Sequence, residues 1–512
     1  MSLAAPATSS LAALEALDWV APLLREVARP PGWLAIGRLQ RVRRLHLVLK
    51  SGRTDLLEES EVEGFGAQLF DAEGASALGS TDEVSPAAVR RALESTAAVL
   101  ARAGARLGGK NRELARLAPL VDRHEVPAPR DAWTIGLARA QELLAAHHEA
   151  LRAEPVPAGV ELAVQTSLIA VDEAWRVLRA DGTDVAWNVP RCAVIDTFVA
   201  RRGGRAGTTS VPSFAVDLDV LLDPARAARH RRLAERARHT AVALLDASPV
   251  TPGGNRRLVI DAGLAKGLAH EAFGHAAESD QVRFESILGE RERFRAGLRV
   301  GREDLSIVDS SVEGDWAFAP FDVNGARRER VAIVERGVLT AALADVYSAA
   351  GVGVRPTGAA RCEGFGDVPL PRMSNIRLEL ADPIPWPKDP GETTPEELHA
   401  LLLERGLMSP DEEVLYLAGY RGGQVNTQLG EYVFNCQAIH RFHQGRTTLH
   451  EPAIFSGKVL STLGAIVAGI GAPVIDRLGT CGKQGQGVPS SGGGPAFTVI
   501  EPCPDAVIGG RA

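Results

Sequence analysis

The sequence has few cysteines, and they do not form a disulfide framework. Five cysteines occur in 512 residues, and no two of them form a CxxC pair. This odd, scattered set excludes a disulfide-stapled secreted module and is typical of a reducing compartment, where one thiol can serve as a ligand or nucleophile. The five are Cys192, Cys362, Cys436, Cys481 and Cys503.

The sequence also lacks an excess of basic residues. Lysine and arginine total 57 against 64 acidic residues, which gives a formal net charge of −7. Binding to nucleic acid normally requires a basic face, so this charge predicts no nucleic-acid partner. The basic run at 226–247 contains Glu235 and regularly spaced apolar residues, and it is predicted to be a helix with a solvated charged face.

No long uninterrupted apolar segment is present. The most apolar run, 459–475, contains three glycines and Pro473, and it is predicted to be a buried strand and turn. The first thirty residues lack a basic start and contain Glu15 and Asp18, a pattern that disfavours a secretory signal. The sequence therefore predicts no membrane contact and a cytoplasmic location.

The order of predicted elements indicates the α+β class. A helix is predicted at 85–109, capped by Ser85 and closed by Gly108, and a β-hairpin at 330–345 turns at Arg336 and Gly337. The predicted parts are a small N-terminal α/β domain (1–115), a middle α+β domain (116–247) and a C-terminal domain (248–512) rich in antiparallel strands.

The C-terminal part contains a histidine pair with unusual spacing. In GLAHEAFGHAAESD (267–280), His275 follows His270 by five residues, and Glu271 comes directly after the first histidine. On a regular α-helix such residues lie about 140° apart, since each residue turns roughly 100°. A π-bulge brings positions i and i+5 onto one face, and Gly274 is suited to such a distortion. The spacing is therefore compatible with a metal site only where the helix is irregular.

A metal at this pair needs a further ligand. Two histidines leave a tetrahedral zinc one protein ligand short, and Glu271 stands where zinc proteases keep a general base. The alternative is a pair of buried histidines without a metal. Candidates for the third ligand are Glu278, Asp280, the pair His440 and His443, and one of the cysteines. Cys481 stands apart because it lies in the glycine-dense segment 479–497, which is predicted to be a loop; a small buried turn residue is its alternative reading.

Several ordered segments together resemble the TldD/PmbA family of metalloproteases, whose members were also called modulators of DNA gyrase. The resemblance covers most of the chain and is strongest from about 250 to 500. It rests on residues 258–280, 321–349, 371–379, 419–434 and 479–489.

The resemblance implies a complete metal site. TldD-type members carry HExxxH and a late cysteine that together hold the metal, whereas PmbA (TldE) relatives lack this site. By that resemblance His270, His275 and Cys481 are expected to bind one zinc ion per chain, with Glu271 as the general base.

The resemblance also implies a substrate and a partner. Family members cut unfolded peptides between two subunits, so a homodimer or a heterodimer with a PmbA/TldE-type subunit is expected, and removal of leader segments from peptide natural products is among the family's activities. Gly422, Gly423 and Gln424 are candidates for contact with the peptide backbone. Asn426 replaces an aspartate that close relatives often have. Two alternative functions are a non-catalytic peptide-binding subunit and a metal-dependent tailoring amidase.

Overall fold

The structure is a computed structural model that describes residues 9–104 and 117–510. Its elements belong to the α+β class, as the sequence predicts. The helices are α1 (Ser10–Glu15), α2 (Val20–Val27), α3 (Pro86–Gly104), α4 (Ala132–Ile135), α5 (Leu137–Arg152), α6 (Asp219–Leu222), α7 (Pro224–Ala243), α8 (Ala262–Gly267), α9 (Ser279–Arg283), α10 (Pro395–Glu404) and α11 (Val459–Gly464). The strands are β1 (Leu34–Lys50), β2 (Arg53–Phe70), β3 (Ser76–Thr81), β4 (Val121–His124), β5 (Glu161–Arg179), β6 (Asp184–Arg202), β7 (Arg205–Ala215), β8 (Gly253–Gly254), β9 (Arg257–Asp261), β10 (Gly289–Glu290), β11 (Arg293–Phe294), β12 (Leu305–Ser310), β13 (Val331–Glu335), β14 (Val338–Leu339), β15 (Ala360–Arg361), β16 (Leu370–Pro371), β17 (Asn375–Leu380), β18 (Val414–Asn426), β19 (Glu431–His443), β20 (Arg446–His450), β21 (Ile454–Lys458), β22 (Ile466–Lys483), β23 (Gln486–Ile500) and β24 (Ala506–Gly509).

The first sheet is built from the N-terminal half of the chain. Its strands follow the order β3-β2-β1-β5-β6-β4, and β7 also pairs with β6. Strands β1 and β5 lie on opposite sides of the predicted domain boundary at 115/116, yet they pair directly. That boundary and the predicted helix end at Gly108 fall in residues 105–116, outside the described part. The division into 1–115, 116–247 and 248–512 therefore stays a prediction.

The two faces of this sheet have different partners. Side chains alternate along a strand, so Leu39 and Leu45 of β1 face the helices while Ile36 faces the opposite way. Helices α1 to α3 and α5 to α7 cover the first face. The second face packs on Phe318 and Phe321 of the C-terminal half. The two halves of the chain therefore share a buried apolar boundary.

The second sheet is built from the C-terminal half. Its strands follow the order β14-β13-β12-β17-β23-β9-β18-β19-β21-β24-β8, with β20 on β19 and β22 on β23. Most pairs are antiparallel, whereas β17 with β23 and β9 with β18 are parallel. The predicted hairpin is confirmed: β13 pairs with β14, and Arg336 and Gly337 have φ values of 49° and 75° as in a type I′ turn.

The predicted loop at 479–497 is wrong. These residues form the end of β22 and most of β23, which pair antiparallel around a turn at 484–485. Their glycines allow close backbone packing: a Cβ on Gly492 would lie 2.0 Å from the Ile376 carbonyl oxygen, and one on Gly493 would lie 1.8 Å from that of Val474. Glycine here indicates a crowded strand rather than a flexible loop.

The strand predicted at the start of 459–475 is wrong as well. Residues Val459–Gly464 form helix α11, and β22 follows. Val459, Thr462 and Leu463 are buried on one side of this helix, a spacing of three and four that a short apolar run conceals. Among residues 9–104 and 117–510, no helix combines the length and the apolar character needed to cross a membrane.

Candidate metal centre

The segment with the histidine pair begins at a buried aspartate. Asp261 ends β9 and caps α8, where its side chain accepts a hydrogen bond from Leu264 N at 2.9 Å. The same carboxyl accepts one from Gly419 N of β18 at 2.6 Å. Burial raises the pKa of this carboxyl to about 6. One side chain therefore fixes both the start of the helix and its contact with β18.

The helix becomes irregular where the sequence predicts. Residues Leu268–Gly274 are π-helical, and the His275 N–H donates to the His270 carbonyl oxygen, five residues earlier. The two imidazole rings consequently lie next to each other in a T-shaped arrangement, with centroids 5.1 Å apart and planes at 85°. The predicted distortion is confirmed, and it extends over the whole segment rather than a single residue.

Gly274 is needed for a reason other than the predicted one. Its φ and ψ of −55° and −60° are ordinary helical values that any residue adopts. A Cβ at this position would lie 1.8 Å from Met373 Sδ and 3.0 Å from Ile376 Cδ1. The glycine therefore lets the helix pack closely against β17 and the segment before it.

Cys481, near the end of β22, lies close to the two histidines of the irregular helix. One potential ligand atom from each of His270, His275 and Cys481 lies within 4.8 Å of the others. The Cys481 Sγ and His275 Nε2 atoms are 3.5 Å apart. Zinc bonds of about 2.3 Å to sulfur and about 2.0 Å to nitrogen, at a tetrahedral angle, require a separation of roughly 3.5 Å. This histidine–cysteine cluster (His270, His275, Cys481) therefore fits a zinc ion in donor type and spacing.

The charges around this cluster hold Cys481 in its thiolate form. Burial alone would raise the pKa of the Cys481 thiol, but His275 and His270 hold it well below its usual range. Burial likewise disfavours a charged His275, yet Glu278 and Cys481 raise the pKa of its imidazole well above the ordinary value. Cys481 is thus held as a thiolate, the form that binds metals, while the Glu278 carboxylate lies against the other nitrogen of the His275 ring, Nδ1.

Glu278 and Asp280 do not join the cluster but support it. Glu278 Oε2 lies 3.0 Å from His275 Nδ1 and accepts a hydrogen bond from Lys483 Nζ at 2.7 Å. Lys483 also donates to Asp280 Oδ1 at 2.7 Å. Burial would raise the pKa of Glu278, but His275 and Lys483 lower it to about 2. This ion network connects the strand of Cys481 to the ring of His275.

Sequence reasoning missed Lys483 as part of the site. A usable signal was present: Lys483 follows Cys481 by two residues, and residues two apart point to the same face of a strand. The prediction of a loop over this segment concealed that signal.

Glu271 has a partner that the sequence did not reveal. Tyr420 of β18 donates its hydroxyl to Glu271 Oε1 at 3.3 Å. The remaining predicted residues, Gly422, Gly423 and Gln424, begin two residues later on the same strand, where the pairing with β19 shifts register between Tyr420 and Gly423. Gln424 is exposed. Their contact with substrate stays a prediction.

The other candidates for the third ligand lie elsewhere. His440 is on β19, with its ring centroid 5.7 Å from that of Tyr416, and burial lowers its pKa to about 4. Neither His440 nor His443 belongs to the histidine–cysteine cluster. Among the candidates, Cys481 alone brings a ligand atom to the two histidines within the described residues.

A second buried group resembles a metal site in composition. It is the histidine–aspartate cluster (His147, Asp196, His230), on α5, β6 and α7. Both histidine Nε2 atoms lie 2.8 Å from Asp196 Oδ2, and Thr166 Oγ1 donates to Oδ1 at 2.7 Å. These are hydrogen-bond lengths, shorter than the roughly 3.3 Å between nitrogen and oxygen ligands of a tetrahedral zinc. This cluster is therefore held by hydrogen bonds.

Known proteins match the chain over the region of the histidine–cysteine cluster and beyond it. The PmbA/TldA metallopeptidase C-terminal domain matches residues 253–498. A metalloprotease of Methanothermobacter thermautotrophicus is 30% identical over 406 residues, which cover 77% of this chain and 79% of that protein. A zinc metalloprotease TldD homolog of Saccharolobus solfataricus is 30% identical over 235 residues, 45% of this chain and 47% of that protein.

A solved structure has the same fold. The crystal structure of TldE from Thermococcus kodakarensis superposes with a TM-score of 0.71 at 14% identity and covers 97% of this chain and all (100%) of that one. The fold of this chain agrees with that of the solved structure over nearly the full length. The similarity in sequence is to the metalloprotease relatives. The chain therefore belongs to the PmbA/TldD family of metallopeptidases.

Proposed function

We propose that this chain is a zinc-dependent peptidase that hydrolyses unfolded peptides in the cytoplasm. The observation that carries the proposal is the convergence of His270, His275 and Cys481, with Glu271 next to the first ligand. The zinc metalloprotease name of the Saccharolobus solfataricus relative supports the choice of metal. All five cysteines are free, which suits a reducing compartment.

In this proposal the two imidazoles and the thiolate hold one zinc ion per chain. A bound zinc lowers the pKa of a water molecule and polarises the scissile carbonyl. Glu271 accepts the proton of the attacking water and transfers it to the leaving amine nitrogen, so it acts as base and then as acid. Glu278 and Lys483 keep the His275 ring in its orientation.

The proposed substrate is an extended peptide without folded structure. Gly422, Gly423 and Gln424 present a partly exposed, irregular stretch of strand next to Tyr420, which suits contacts to a peptide backbone more than to side chains. We include removal of a leader segment from a peptide natural product within this activity. The partner is a second copy or a TldE-type subunit, a choice supported by the fold shared with the Thermococcus kodakarensis protein.

Metal content and turnover together test the proposal. We expect about one zinc per unmutated chain by elemental analysis and cleavage of a denatured casein substrate. Cys481→Ala is expected to lose both, and Glu271→Gln is expected to keep zinc while kcat falls about 10²- to 10⁴-fold. The buried Cys503, outside the cluster, provides the control variant Cys503→Ala.

Three results would contradict parts of the proposal. Absence of zinc after zinc is supplied would favour a non-catalytic peptide-binding subunit. Zinc retained at full occupancy in Cys481→Ala would remove Cys481 from the ligand set. Hydrolysis of small amides without cleavage of peptides would favour a tailoring amidase.

A further inference from the structure

The hydroxyl of Tyr420 lies against the side chain of Glu271. The two residues are 149 positions apart in sequence, and the Tyr420 Oη to Glu271 Oε1 distance is 3.3 Å. Among the described residues, Tyr420 is the one hydrogen-bond partner of the Glu271 side chain. A carboxylate on one side of a helix would otherwise rotate freely about its side-chain torsions.

The Tyr420 ring is fixed from several sides. A Cβ on Gly267 of α8 would lie 3.0 Å from ring atom Cε2, so a glycine is needed for the ring to rest on the helix. The Phe434 ring packs against the Tyr420 ring in a T-shaped arrangement, with centroids 5.6 Å apart and planes at 83°. The preceding residue, Gly419, is tied to Asp261 at the start of the same helix and has a φ of 74°, which favours glycine.

The phenol can only be the donor in this contact. Burial raises the pKa of Tyr420, and the neighbouring Glu271 carboxylate raises it further. The hydroxyl therefore keeps its proton at all working pH values and donates a hydrogen bond to Oε1. Oε2 is left without a donor from the described residues.

We propose that Tyr420 is a positioning residue that orients the general base Glu271. By occupying Oε1, the hydroxyl leaves Oε2 to take the proton of the attacking water, and that proton then passes to the leaving amine nitrogen. The inference rests on the proposed function, because it assigns Tyr420 a task through Glu271. The inference places Tyr420 beside Glu271 in the proposed mechanism. Tyr420 belongs to β18, the strand that also carries Gly422 to Gln424.

The test uses the full-length, zinc-loaded protein and the variant Tyr420→Phe, which retains the ring that packs on Gly267. Tyr416→Phe is the matched control, since Tyr416 lies four residues earlier on β18 and contacts His440 instead. We expect Tyr420→Phe to lower kcat about tenfold, the effect of one charge-assisted hydrogen bond, with KM, zinc content and Tm unchanged. Acetohydroxamate, a small zinc ligand, should bind about three- to tenfold more weakly by calorimetry.

A double-mutant cycle separates positioning from a structural role. In a Glu271→Ala background, adding Tyr420→Phe should change hydroxamate affinity no further, because the residue through which Tyr420 acts is gone. An additive effect in that background, a loss of zinc, or a lower Tm in Tyr420→Phe would overturn the inference. So would unchanged kcat and unchanged hydroxamate affinity.

The two proposals fail in distinguishable ways. If the unmutated protein binds zinc and hydroxamate but cleaves no peptide, the peptidase function fails. The hydroxamate cycle still decides whether Tyr420 orients Glu271.

Discussion

Residues 9–104 and 117–510 contain two largely buried groups of three side chains with metal-ligating chemistry, and the geometry of the two groups differs. In the histidine–cysteine cluster, Cys481 Sγ and His275 Nε2 are 3.5 Å apart. In the histidine–aspartate cluster, both Nε2 atoms lie 2.8 Å from one Asp196 oxygen. The first spacing leaves room for an ion between the atoms, and the second leaves room for a proton only.

The difference follows from counting donors and acceptors. His147 and His230 can each donate an Nε2–H to Asp196, so the ligand-type atoms that meet in that cluster are already paired by hydrogen bonds. Burial alone would raise the pKa of Asp196, but these hydrogen bonds hold it below its usual range. In the histidine–cysteine cluster, Nε2 of His275 faces the Cys481 sulfur at 3.5 Å while Nδ1 of the same ring lies 3.0 Å from Glu278, so once Nε2 has lost its proton this nitrogen and the thiolate are two acceptors separated by the spacing of a metal site. Residue type and burial alone do not distinguish the two clusters.

Asp196→Ala has the largest expected effect and tests whether the histidine–aspartate cluster is held by hydrogen bonds alone. The change leaves two buried imidazole donors and the Thr166 hydroxyl without an acceptor, each at a cost of roughly 1–3 kcal/mol. We expect the free energy of unfolding, measured in urea, to fall by about 3 kcal/mol or more. Zinc per folded chain should stay unchanged. The exposed Asp55 provides the control Asp55→Ala, and a loss of zinc in Asp196→Ala would show that this cluster also holds metal.

The pH dependence of stability should have opposite signs in the two regions. Asp261, at the start of the metal-site helix, has a pKa raised by burial from 3.8 to about 6, so its contribution is full below pH 4 and is lost as pH rises through 6. Asp196 has a lowered pKa, so its contribution is present above pH 4 and is lost as pH falls.

The Asp261 part of this difference is measured with Asp261→Asn in urea between pH 4 and 7, and Asp196→Asn provides the comparison, because the contribution of Asp196 is constant over that range. Relative to Asp261→Asn, the unmutated protein should lose about 2–3 kcal/mol of stability over that range, since one pKa unit corresponds to about 1.4 kcal/mol. Asp196→Asn should show no such loss. A stability difference independent of pH for Asp261→Asn would contradict the raised pKa.

The sequence predicts the local parts of the site well. His270, Glu271 and His275 stand within six residues, and a metal held by both histidines at that spacing requires the irregular helix that the structure has. The hairpin at Arg336 and Gly337 is likewise read from adjacent residues. Such features depend only on residues that are near one another in sequence, so the sequence pattern predicts them directly.

The long-range parts could not be predicted in this way. Cys481 stayed one of several candidates for the third ligand until the family resemblance selected it, because nothing local links a strand at 466–483 to the helical segment at 268–275. Tyr420 was not found because its contact with Glu271 depends on the pairing of β18 with β9. Glycines at 492–494 predicted a loop, whereas their purpose is close packing between strands, which depends on neighbours distant in sequence.

The smallest expected effect comes from Lys483→Met, which tests the ion network around the histidine–cysteine cluster. The variant removes the cation that Glu278 shares with Asp280 while keeping the three ligands. We expect zinc to bind about tenfold more weakly in competition with a chelator, as is usual when an outer partner of a ligand is lost. Lys458→Met, at an exposed lysine, is the control. An unchanged zinc affinity would mean that Glu278 alone orients His275, and that Lys483 serves only to hold β22 against the helix.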